Sequence, residues 1–144
     1  MKNRFRKIIG VVLSLMVVCS AFGLYASAGN TSRSDYSFAL SPTADYRHTL
    51  PRPKQDASLV YVRLDGATND GAYFKAYGTH YGSNTDEEYD LTFDGYLHLF
   101  PGEYGYIGQS IHEYGYYYAV LGVKNAGTYT RSIYGAWSPD SDQF

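Results

Sequence analysis

Cysteine is almost missing from this 144-residue chain: the only one, Cys19, lies inside an N-terminal apolar run. Its neighbours Val17 and Val18 are too bulky for a lipobox, where a small residue precedes the modified cysteine. Disulfides, the common reinforcement of small exported domains, are therefore excluded from the chain beyond that run. Stability must come from burial, hydrogen bonding or a bound partner. Positive charge is also scarce. Four of the 12 basic residues (Lys2, Arg4, Arg6 and Lys7) stand at the extreme N-terminus, and the chain beyond position 28 carries 8 basic against 14 acidic residues, a net charge of −6. Such a chain has no electrostatic footprint for nucleic acid or anionic lipid. Helical periodicity, internal repeats and H-x-H or H-E-x-x-H spacings are absent as well, which leaves no ready zinc site.

What is present begins with an address. The basic head is followed by an apolar run from Ile8 to about Tyr25 and then by Ala26-Ser27-Ala28. That order predicts a cleaved secretory signal peptide over residues 1–28 and an extracellular location. The alternative, an uncleaved anchor, is at the lower edge of spanning length, and Gly10, Ser14, Ser20 and Gly23 dilute it. Residues 29–144 then form one domain with no membrane contact after cleavage.

That domain is rich in aromatics. It holds 16 Tyr, 5 Phe and Trp137 among 116 residues, with 13 glycines cutting it into short pieces. Tyr and Phe favour half-buried pleated surfaces. Period-2 alternation supports strands at Tyr36–Leu40, Leu59–Leu64, Tyr73–Tyr77, around Leu97 and Leu99, at Tyr104–Ile107, at Tyr116–Val123 and at about Thr128–Trp137. The turn formers between Asp65 and Gly71 predict a hairpin joining the second and third of these. Tyr116–Val123, apolar on both faces, reads as a central strand. Gly29–Ser34 reads as a loose terminus. Ser41–Ser58, with three prolines, reads as a long surface connection holding one short strand near Tyr46–Thr49. The expected fold is all-β: an antiparallel β-sandwich, jelly-roll or Ig-like, of about seven or eight short strands. Trp137, between small neighbours, is expected to plug the core.

Three short motifs recur in order: Asp35-Tyr36-Ser37-Phe38, then Tyr46-Arg47 with Thr49, then Tyr134-Gly135-Ala136-Trp137-Ser138-Pro139-Asp140. In these, the chain resembles the small secreted proteins of Gram-positive bacteria gathered as domain of unknown function 2712. It departs from that pattern in its acidic Asp86–Asp90 loop and its Tyr114–Tyr118 run. The resemblance implies a secreted β domain and no catalytic residue.

The candidate sites are modest. Gly108-Gln109-Ser110 resembles the start of a nucleophile elbow, but His112 replaces the closing glycine and the strand-turn-helix context is missing, so a loop is expected. His48, His80, His98 and His112 are scattered. Asp86, Glu88 and Asp90 form the better metal candidate, for calcium, against the plainer reading of a solvated acidic turn. No other cofactor is expected. Paired-carboxylate catalysis needs a cleft that competes with the core of so short a chain, so the protein is read as no enzyme. The tyrosine surplus is the most suggestive feature. Tyr73, Tyr77, Tyr116 and Tyr118 on one sheet face would offer flat rings with hydroxyl edges for cell-wall carbohydrate or an extracellular protein; as core filling they would do neither. The expected function is an extracellular binding module. The alternative is an exported antagonist resembling lactococcin-type β-sandwich bacteriocins, although the basic charge of membrane-active peptides is absent.

Overall fold

Alternation of side chains dictates the layers. The computed structural model describes residues 29–83 and 87–143; the expected signal peptide, residues 1–28, lies outside the described residues. Ten strands follow in order: β1 (Ser34–Leu40), β2 (Arg47–His48), β3 (Arg52–Pro53), β4 (Val60–Gly66), β5 (Ala72–Thr79), β6 (Tyr89–Asp90), β7 (Leu97–Leu99), β8 (Tyr104–Ile107), β9 (Tyr118–Asn125) and β10 (Arg131–Ser138). All pairings are antiparallel. One sheet has the order β1-β10-β4-β8. In the other, β9 and β5 are central; β2 and β3 lie end to end along β9, and β6 and β7 along β5. Counted by position this is four strands over four, the expected all-β sandwich. The outer edges of the second sheet are broken into short pieces, which blunts them as templates for further pairing.

Between the sheets lie Leu40, Val60, Val62, Leu64, Phe74, Ala76, Leu121, Val123, Ile133 and Trp137, all essentially inaccessible to solvent. Each comes from the apolar phase of its strand. β9 is covered on both sides, as a central strand should be: Val120 and Gly122 on its outer phase are buried too.

Three expectations are corrected. First, β4 and β5 do not form a hairpin. They belong to different sheets, and the segment between them crosses from one layer to the other, with only a small Thr68–Gly71 bridge inside it. Second, Gly29–Ser34 is not loose. The Asn30 amide donates to Asp140 Oδ2 (2.5 Å), and Arg52 donates to the Ser32 carbonyl and hydroxyl, both at 2.7 Å. Third, Ser41–Ser58 is not merely a surface connection: it supplies two edge strands and buries Thr49, Lys54 and Ser58. Thr49 is satisfied in its buried position, accepting the Leu121 amide on its hydroxyl at 3.1 Å while donating its own amide to the Leu121 carbonyl.

The family motifs meet inside the fold. Tyr36 of β1 pairs with Gly135 of β10, and its ring reaches across that residue to donate to the Arg63 carbonyl of β4 at 2.9 Å. A register shift between Tyr134 and Gly135 opens the β4 ladder at this point. Burial pushes the Tyr36 phenol well above its ordinary range, with Asp65 adding to the rise.

Candidate functional site: an aromatic outer face

The odd positions of β5 point away from the core, so Tyr73, Lys75 and Tyr77 stand in a row on the outer face, each half-buried. Across the ladder they face Lys124, Gly122 and Val120 of β9. Gly122 is the space-maker. A Cβ there would lie 2.5 Å from Tyr77 Cε2 and 3.3 Å from Tyr46 Cδ1, so two rings settle onto bare backbone. Tyr46 and Tyr77 meet edge to face at 6.5 Å, and His48 lies 4.4 Å from the Tyr77 ring.

Charges are woven through these rings. Lys75 Nζ binds Asp90 Oδ2 at 2.5 Å and lies 5.4 Å from the Tyr46 ring, and Lys124 Nζ lies 5.7 Å from the same ring. His48 Nδ1 bonds to Glu88. Burial is the first cause that raises the Tyr46 phenol, to about 12, with the Asp90 charge second; burial and Asp90 raise Tyr77 as well. Both hydroxyls therefore remain neutral donors throughout the physiological range. Burial works against the Asp90 carboxylate, but bonds from Lys75 and from Thr92 outweigh it and hold Asp90 below the usual carboxylate range.

The row continues at its other end. His98 of β7 pairs with Tyr73, and Tyr73 packs against both Tyr96 and His98 at 4.7 Å. Phe100 packs at a tilt 4.7 Å from His98, whose Nε2 meets the Asp70 carbonyl at 2.7 Å. Tyr96 and Phe100 are 53% and 46% exposed, so this end is the open part of the platform.

Of the four tyrosines expected to share a face, Tyr73 and Tyr77 do so. Tyr118, at the first position of β9 opposite Thr79, is half-buried on the same face. Tyr116 is set apart. The strand starts two residues later than expected; the Tyr116 amide returns to the Ile111 carbonyl, and the ring packs against the core beside Leu91 and Gly78. There it stacks on His80 at 4.4 Å and lies 5.5 Å from Tyr89, in a loop cluster whose Tyr81 and Tyr117 are exposed. Sequence reasoning missed Tyr46, Tyr96, His98 and Phe100 as members of the platform. Their alternation with Leu97 and Leu99, and the short strand after Tyr46, are the signals that place them opposite the core.

Asp86 lies outside the described residues. Glu88 and Asp90 face His48 and Lys75, and among the described residues no three His, Cys, Asp or Glu side chains gather as metal ligands. Ser110 and His112 lie in the turn after Gln109; the Ser110 carbonyl accepts the Tyr114 amide, and His112 is exposed.

A four-over-four antiparallel sandwich with an aromatic, charge-laced outer face defines an all-β class of protein with no helix among the described residues. Within that class the chain belongs to the family described as "Protein of unknown function (DUF2712)", which it matches over residues 24–141. No curated protein and no solved structure matches it.

Proposed function

We propose that the protein is a secreted, non-enzymatic binding module that takes cell-wall carbohydrate on the outer face of its second sheet. The observation that carries this reading is the pair of ring clusters on one face, Tyr46 with Tyr77 and Tyr73 with Tyr96, His98 and Phe100, with Lys75 and its partner Asp90 between them. Sugar rings present axial C–H faces and equatorial hydroxyls. An array of flat rings with hydroxyl donors, and carboxylate and ammonium groups at ring height, matches both. The rigid sheet beneath limits the ordering cost of binding.

The test is a titration of the protein with soluble peptidoglycan fragments and cell-wall polysaccharide, following intrinsic tyrosine fluorescence. Saturable binding that weakens at least tenfold in Tyr73→Ala and Tyr96→Ala variants, both folded by circular dichroism, is the expected result. Binding that is absent, or unchanged by both substitutions, refutes the platform. A Tyr116→Ala variant serves as the control, because Tyr116 belongs to the separate loop cluster.

A further inference from the structure

Beyond the ends of β3 and β10, a lysine and an aspartate are fully buried against each other. Lys54, just after β3, puts Nζ 2.6 Å from Oδ1 of Asp140, two residues past β10, and both side chains have no solvent exposure. Asp56 is the third member. Its Oδ1 lies 3.7 Å from Lys54 Nζ and accepts the Ser58 amide at 2.9 Å. The cluster thus brings one amino group and two carboxyl groups together.

We propose that Lys54 and Asp140 condense into an intramolecular amide, with Asp56 moving the protons. The ammonium gives one proton, through Asp56, to Asp140 Oδ1. The free Lys54 amine attacks Asp140 Cγ, and the C–N bond forms. The nitrogen then loses a second proton to Asp56, which passes it to the departing Oδ1 hydroxyl; the Cγ–Oδ1 bond breaks and water leaves. No oxidant, cofactor or second protein is needed, and Asp56 is unchanged at the end.

Three features of the site favour this step. Asp140 Oδ2 accepts the backbone amides of Asn30 (2.5 Å) and Gln55 (3.0 Å), two fixed donors aimed at the oxygen that carries the negative charge of the tetrahedral intermediate. The reacting groups are held in contact by the fold, which removes the entropy of bringing them together. The product also keeps the surrounding hydrogen bonds. The new carbonyl still accepts from Asn30 and Gln55, and the new amide N–H still has the Ser58 carbonyl, now 2.6 Å from Nζ. What disappears is a buried charge pair and its desolvation cost. Burial opposes the Asp56 carboxylate, but bonds from Ser58 and the Lys54 charge outweigh it and keep Asp56 below its ordinary range, so it stands ionised with a site open to a proton.

The cross-link would span 86 positions and join the edge of one sheet to the end of the last strand of the other. It would do so in a fold that has no disulfide.

The experiment is a tryptic digest of the unfolded full-length protein, read by mass spectrometry. Trypsin cuts after Arg47, Lys54, Arg63 and Arg131 but not between Arg52 and Pro53. The expected product is peptide 48–63, uncut at Lys54, joined to peptide 132–144 and lighter than the two by one water, about 18 Da. Asp140→Asn should give the same joined peptide by releasing ammonia in place of water. Lys54→Arg should give none. Asp56→Asn should slow the linkage at least tenfold while circular dichroism stays that of the parent; an unchanged rate removes Asp56 from the mechanism. Recovery of free 48–54 and 132–144 from the parent protein, as the only forms, overturns the proposal.

Discussion

Gly135→Ala is the sharpest probe of how the two central motifs fit. A Cβ at this position would lie 2.0 Å from the Arg63 carbonyl oxygen and 2.7 Å from the Tyr36 hydroxyl. The first contact is with backbone, which no side-chain rotation can relieve, so β10 must move away from β4 where the register already shifts. Overpacking a filled site costs about 1–3 kcal/mol. Displacing the Tyr36 hydroxyl from a part-buried carbonyl adds about 1 kcal/mol. Losing a glycine returns about 0.5–1 kcal/mol through the unfolded chain. The net expectation is a loss of about 2–3 kcal/mol, or about 10 °C in Tm for a domain of this length. Tyr36→Phe removes only the hydroxyl and should cost about 1 kcal/mol. Urea unfolding of both variants, with the slope unchanged from the parent, measures these losses. A Gly135→Ala protein within about 0.5 kcal/mol of the parent, or a larger loss in Tyr36→Phe than in Gly135→Ala, would refute this account of the motif.

Asn125 closes the crossing from β9 to β10: its side-chain amide donates to the Leu40 and Tyr129 carbonyls at 3.1 and 2.7 Å, and its oxygen accepts the Gly127 amide at 2.8 Å. Asn125→Ala leaves these groups without partners and should cost about 2–4 kcal/mol in urea unfolding, against less than about 0.5 kcal/mol if water replaces the bonds. Alkali is the next perturbation. The phenols of Tyr36, Tyr46 and Tyr77 are raised in the folded state while those of the unfolded chain ionise near pH 10. Stability is therefore complete below about pH 10 and falls as the pH rises toward 12, because the unfolded chain loses protons first. Phenolate absorbance and circular dichroism, followed together, check this; ionisation of every tyrosine near pH 10 with the fold intact would contradict it. Lys75→Gln removes the first attractive cause acting on Asp90, so the Asp90 carboxyl should titrate higher than in the parent by NMR, and an unmoved titration would discount the pair.

Faces were legible in the sequence; partners were not. Val60, Val62 and Leu64, or Phe74 and Ala76, announce by their spacing that they point inward, and they do. The same spacing says nothing about which strand lies alongside. Asp65–Gly71 contains residues that turn a chain equally well within a sheet or from one sheet to the other, and here they do the latter. Tyr116 shows a different limit. Gly115 has φ +79°, and the amide of Tyr116 is tied back to Ile111, so the ring leaves the alternation of β9 although the sequence continues it. Lys54 shows a third. A lysine among prolines reads as surface, and it is Asp140, distant in sequence, with the Ser58 carbonyl and Asp56, that makes its burial tolerable.

The placement of the buried polar groups follows from the way the chain is wound. Apart from the β2–β3 and β5–β6–β7 runs, every connection passes from one sheet to the other, so the layers are held by crossings and not by hairpins. Each crossing takes backbone away from a ladder and must satisfy its polar groups in some other way. Gln109 does so between β8 and β9, donating to the Ser58 carbonyl at 2.8 Å while accepting the Ile111 amide. Asn125 does so between β9 and β10, and the cluster of Lys54, Asp56 and Asp140 does so where the segments before β1 and after β10 meet the connection from β3 to β4. Ser58 links two of these sites through its single carbonyl, which receives both Lys54 and Gln109. Loss of either donor should therefore loosen the same end of the sandwich. Hydrogen exchange should show Gln109→Ala and Lys54→Met freeing the same amides around Ser58 and Ser141, whereas separate sets of freed amides would mean that the crossings are held independently.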